Sequence, residues 1–127
     1  MAVDALRVPF ENSWYPRGSV VQGNQFDLGN SGYYSNAFDC PEQILLATID
    51  LTPDWAEWKE SPPVTVLEPE TDYEGAGMPL EPSARGLIMG KVRQLRDPGI
   101  FHEEDDAYLL YSVAGEHGLA IAKLLAD

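Results

Sequence analysis

The stretch from Ala107 to Leu124 constrains the fold of this chain more than any other. Ala107-Tyr108-Leu109-Leu110-Tyr111-Ser112-Val113 is aromatic and aliphatic at strand length, and the turn Gly115-Glu116-His117-Gly118 follows it. Leu119-Ala120-Ile121-Ala122-Lys123-Leu124 comes next. By propensity alone that last piece reads as helix, because Ala, Leu and Lys are good helix formers. Its shortness, and the glycine-containing turn joining it to a strand, make it the second arm of a β-hairpin instead. His117 is then expected at the surface. Gly 11 and Pro 10, spread along the 127 residues, extend the reading to an all-β chain of short strands and many turns.

Upstream, Ile44-Leu45-Leu46-Ala47-Thr48-Ile49-Asp50-Leu51 reads as a strand, bounded by Cys40-Pro41 and Thr52-Pro53-Asp54. Its mostly apolar character is expected where both faces are covered. Trp55 and Trp58 are spaced for one helical turn or a bulged loop, and Val64-Thr65-Val66-Leu67 is a short strand between Pro62-Pro63 and Pro69. Residues 68–86 form a long Glu-, Pro- and Gly-rich connection, of the kind that is usually functional. Leu87-Ile88-Met89 and Val92 are expected to form one more strand, and Gly99-Ile100-Phe101 leads through the acidic turn Glu103–Asp106 into the hairpin. Residues 1–32, with the apolar pieces Ser19-Val20-Val21 and Phe26-Asp27-Leu28, read as an irregular or edge-strand region. A loose echo joins two parts of the chain. Tyr33-Tyr34-Ser35 precedes the apolar strand Ile44–Leu51 as Leu110-Tyr111-Ser112 precedes Leu119–Leu124. Such an echo is the mark of a repeated unit.

With 21 acidic and 8 basic residues the formal charge is −13, which excludes nucleic acid and anionic membrane surfaces as partners. Cys40 stands alone, so no internal disulfide or cysteine-rich zinc site is expected. Met1 to Trp14 carries Asp4, Arg7 and Glu11 and no apolar core of a signal peptide, so the chain reads as soluble and cytoplasmic.

Three segments carry candidate chemistry. In Arg96-Asp97-Pro98, Arg96 would hold Asp97 ionised, and Pro98 would keep the Asp97 backbone extended, which suits a catalytic or sugar-binding carboxylate. A surface turn with an ion pair accounts for the same residues. Tyr73-Glu74-Gly75 places a carboxylate and a ring able to stack on a sugar face within the long loop, which is equally compatible with a plain polar loop. Arg85, Lys91, Arg93 and Arg96 form a basic cluster in an acidic chain, suited either to a ligand anion or to neutralising neighbouring carboxylates. His102-Glu103 and Glu103–Asp106 lack metal-site spacing, and no cofactor is expected.

Leu95-Arg96-Asp97-Pro98-Gly99-Ile100-Phe101, then Tyr108-Leu109-Leu110-Tyr111-Ser112 and Gly118-Leu119-Ala120-Ile121-Ala122, resembles the five-bladed β-propellers of glycosyl hydrolase families 43, 32 and 68. Tyr34-Ser35, Pro41 to Leu46, Ile49-Asp50-Leu51, Asp54-Trp55 and Trp58 look like the preceding blade. The resemblance covers about residues 33–124 and is similar to the C-terminal part of bacterial glycosyl-hydrolase-like propellers. It implies two antiparallel blades, roughly 33–86 and 87–127, of an incomplete propeller. It further implies Asp97 as the transition-state-stabilising carboxylate, Glu74 as a general acid, and a carbohydrate bound near Arg96, Tyr73, Arg85 and Arg93. No residue matches the remaining base or nucleophile. A non-catalytic carbohydrate-binding or assembly module therefore stands beside hydrolysis, as does a glycoside phosphorylase with phosphate on Arg85, Arg93 and Arg96. Two blades expose inner faces and open edges, so the chain is expected either to be a portion of a longer protein or to form a homo-oligomer.

Overall fold

The computed structural model describes residues 2–3, 8–10, 30–49 and 53–125. The protein is all-β and antiparallel. Its strands are β1 (Ala2–Val3), β2 (Val8–Phe10), β3 (Asn30–Tyr34), β4 (Ile44–Ile49), β5 (Val64–Leu67), β6 (Arg96–Glu103), β7 (Asp106–Ser112) and β8 (Leu119–Leu125). Helical structure among the described residues is confined to two single 3-10 turns, Trp55–Glu57 and Asp72–Glu74.

One sheet runs β6-β7-β8, and β1 and β2 pair in succession along the outer edge of β8. Ala2 faces Leu125 and Phe10 faces Leu119, so the first residues of the chain complete the sheet built by its last. The second sheet has the order β3-β4-β5. The hairpin expected from the sequence is β7 and β8, with Leu109 opposite Ala122 and Tyr111 opposite Ala120. Strand alternation decides which side is buried: Ala107, Leu109, Tyr111, Ala120, Ala122 and Leu124 all point into the core. Tyr33, Ile44 and Leu67 from the second sheet meet them there. Small alanines on β8 opposite large side chains on β7 let the two layers interlock without overpacking.

Three expectations meet the structure differently. Leu87–Met89 and Val92 are not a strand: Leu87 is 74% and Met89 79% exposed, between Gly86 and Gly90. Three residues between glycines, with neither neighbour on a strand, have no ladder to join. Arg96-Asp97-Pro98 does not precede its strand but opens it, because β6 runs from Arg96. The pieces Ser19–Val21, Phe26–Leu28 and Asp50-Leu51 lie outside the described residues. Among the described residues no helix is long and apolar enough to cross a membrane.

Candidate functional site

The first turn of β6 is irregular. Arg96 pairs with Ser112 and Gly99 with Leu110, so the register shifts between them and Asp97 and Pro98 occupy a bulge. Asp97 has φ 50°, in the left-handed region, where the reading from Pro98 alone had placed it extended. The bulge overrides the proline's local preference. Aspartate is among the few residues that enter this region at modest cost, because its short side chain bonds locally. A bulge at a strand's start re-aims a side chain, and here it turns the Asp97 carboxylate out to solvent beside a buried strand.

Asp97 lines an open concavity of about 710 Å³ together with Glu42, Arg85, Arg96, Glu116 and Ser35. Asp97 makes no hydrogen bond or ion pair with any described residue. Arg96, next to it in sequence, is committed elsewhere. Gln94 Oε1 accepts from Arg96 Nε at 3.1 Å and from Nη2 at 2.8 Å. The carbonyls of Gly86 and Ala84 accept from Nη1 and Nη2 at 2.8 and 3.1 Å. Glu42 Oε1 lies 3.6 Å from Nε, both side chains being nearly buried. Glu42 Oε2 accepts from the Ser35 hydroxyl at 2.8 Å, and the Glu42 carbonyl accepts from Leu95 N–H at 3.0 Å. The expected partnership of Arg96 with Asp97 is thus replaced by one with Glu42. That network ties the segment after β3 to the start of β6 and forms the floor of the concavity.

Glu74 is placed differently from Asp97. It is fully buried: its Oε2 accepts from the Tyr111 hydroxyl at 2.8 Å, and its Oε1 from the N–H groups of Glu70 and Thr71 at 3.1 and 3.2 Å. Three donors on one carboxylate close the 3-10 turn Asp72–Glu74 and fasten it to β7. Glu74 does not line the concavity. Tyr73 is half-buried and packs against the core. The basic cluster divides: Arg85 and Arg96 line the concavity, whereas Arg93 and Lys91 do not. Arg85 is exposed, with its guanidinium 5.9 Å from the centre of the Phe38 ring.

Glu42 and Glu116 escaped the sequence reading. Glu116 lies in the β7–β8 turn, its Oε2 accepting from Ile88 N–H at 3.3 Å. A signal for Glu42 existed: an arginine beside an apolar strand start needs a buried carboxylate, and Glu42 is the acid just before the apolar strand β4.

Over 93 residues the chain is 45% identical to an uncharacterized protein of Acanthamoeba polyphaga mimivirus, a match covering 72% of this chain and 26% of that protein. The chain therefore spans about a quarter of the length of the curated relative it matches. No family model and no solved structure matches it.

Proposed function

We propose that the chain is a two-blade portion of a glycoside-hydrolase-like five-bladed β-propeller, and that the Asp97 concavity binds carbohydrate. One observation carries the reading: an outward carboxylate, without a partner among the described residues and on a left-handed, bulged backbone, shares an open polar concavity with two further carboxylates and an exposed arginine. Left-handed backbone at a non-glycine residue persists where surrounding structure enforces it, and such sites cluster where ligands are held. Sugar hydroxyls are neutral donors and acceptors, and carboxylates with a guanidinium offer both kinds of partner. The propeller part of the reading is supported by the sheets' arrangement. β3 lies against β6 and β1 against β5, so two antiparallel sheets meet at corresponding edges, as neighbouring blades do.

Titration calorimetry with neutral arabino-, xylo-, manno- and fructo-oligosaccharides tests the reading. Wild-type protein is expected to bind at least one, and Asp97→Asn to weaken it about tenfold or more, the worth of a hydrogen bond to a charged group. No binding by wild-type protein would sink the proposal.

Hydrolysis at the same site is a second reading, favoured by Glu116, which lines the concavity where Glu74 does not. Turnover of 4-nitrophenyl glycosides that disappears in Glu116→Gln supports it. Of the guanidiniums in the phosphorylase reading Arg85 is the exposed one that lines the concavity, and that reading requires turnover that depends on inorganic phosphate. We also propose that the chain self-associates through the outer face of the β6-β7-β8 sheet.

A further inference from the structure

Phe38 combines two features that seldom coexist. Its side chain is 62% exposed, and its backbone has φ 78°. A bulky residue in the left-handed region is a genuine outlier, and it persists only where the surrounding structure enforces it.

Its backbone is firmly held. The Phe38 N–H donates to Ser83 Oγ at 2.9 Å, and the Ser83 N–H donates back to the Asp39 carbonyl at 3.0 Å. Ser83 itself is 3% exposed. On the other side of Ser83 the chain reaches Arg85, whose neighbours Ala84 and Gly86 both give their carbonyls to Arg96. Arg85 lies over the Phe38 ring and lines the concavity, as do Asn36 and Ala37, the two residues before Phe38. The Phe38 backbone is therefore held by a buried hydroxyl directly after two residues that line the Asp97 concavity, and its ring lies beside Arg85, which lines it too.

We propose that Phe38 is the stacking platform of this site, receiving the C–H face of a sugar ring while the hydroxyls reach Asp97. The inference rests on the carbohydrate reading above and adds to it the aromatic contact that Tyr73, packed on the core, does not provide. Both faces of the ring are electron-rich, so while one attracts the Arg85 guanidinium the other suits the weakly positive C–H edge of a saccharide.

Two variants test this against a packing role. Phe38→Gly removes the ring and accepts φ 78° without strain, so its melting temperature is expected to equal or exceed that of wild-type protein. Its affinity for the best-bound oligosaccharide of the neutral panel is expected to fall by up to about tenfold. Phe38→Trp keeps a platform and is expected to retain the affinity. A lower melting temperature in Phe38→Gly would show that the ring serves packing and overturn the proposal. Unchanged affinity in that variant would overturn it too, while leaving the carbohydrate site standing. Wild-type protein that binds no member of the panel overturns both the platform and the site.

Discussion

At Arg96, four hydrogen bonds and an ion pair converge on the guanidinium of a residue only 6% exposed. Removing one partner of a buried pair leaves the other charge without compensation. Arg96→Ala is therefore expected to lose about 3–5 kcal/mol in urea denaturation, and a loss below ~1 kcal/mol would mean that Glu42 finds water instead. Arg96→Lys keeps the charge but not the planar fork that reaches Gln94, Ala84 and Gly86, so its loss is expected to lie between. Gly75 is constrained as tightly by its backbone. It has φ 88°, and a Cβ there would lie 2.2 Å from the Val92 carbonyl oxygen. Gly75→Ala is expected to cost roughly 2–4 kcal/mol from the left-handed conformation and the clash together. Gly77→Ala, with nothing within 4 Å of its Cβ, is the near-neutral control by the same denaturation measurement. Asp97 was legible in the sequence as a distinctive carboxylate, but its backbone was not. Pro98 acts on its neighbour through local sterics alone, and the bulge in register that overrides it depends on pairing with Leu110 and Ser112 of β7, far along the chain.

Among the elements, the β7–β8 hairpin was the most legible, because a strand-length apolar run and a glycine-containing turn point the same way. β4 and β5 were legible for another reason, each being a short run rich in apolar residues between prolines. The Leu87–Met89 segment was not, since three apolar residues in a row carry no period, and tertiary pairing decides their state. Glu74 shows the same gap on the side of function. A Glu followed by Gly reads as a ligand-facing pair, yet the donors that claim it are backbone groups of its own turn and a tyrosine of β7. β3 carries a consequence of burial that can be titrated. Burial pushes the Tyr33 hydroxyl from its ordinary value of 10.0 up to about 12. Tyr34, at the end of the strand, is raised by burial first and then by Glu60 and Asp39. For Tyr33 the folded state favours the neutral phenol. Its contribution to stability is complete below pH 10.0 and is lost as pH rises through about 12. Stability is expected to be insensitive to Tyr33 up to the lower value and to fall above it. Tyr33→Phe is expected to flatten that fall. The absorbance of tyrosinate against pH, followed beside circular dichroism, checks both, and a Tyr33 that ionises near 10.0 in folded protein would contradict them.

For the whole molecule, strands near the middle and end of the chain were legible as apolar runs, but which sides of the two sheets meet in a shared core was not. The β6-β7-β8 sheet buries Leu109, Tyr111, Ala120 and Ala122 on one side. On the other, register aligns Gly99 with Leu110 and Ile121, and Phe101 with Tyr108 and Lys123. Leu110, Ile121 and Tyr108 are half-buried there and Phe101 is 51% exposed, its ring 6.5 Å from that of Tyr108. A second copy of the chain offers an identical sheet to this face, and its apolar part, beside the Lys123–Asp106 ion pair at 3.0 Å, is the part that two sheets packed face to face would bury. Net charge opposes the encounter, because two copies each carry −13. The two terms differ in their response to salt: screening weakens the repulsion while leaving apolar burial intact. Light scattering is therefore expected to give a mass above the 14.0 kDa of one chain, rising further between low and moderate salt. Phe101→Lys, which replaces the exposed ring of this face with a charge, is expected to return the mass to that of one chain at every salt concentration. Wild-type protein that scatters as a single chain throughout would remove self-association and leave the face to another partner.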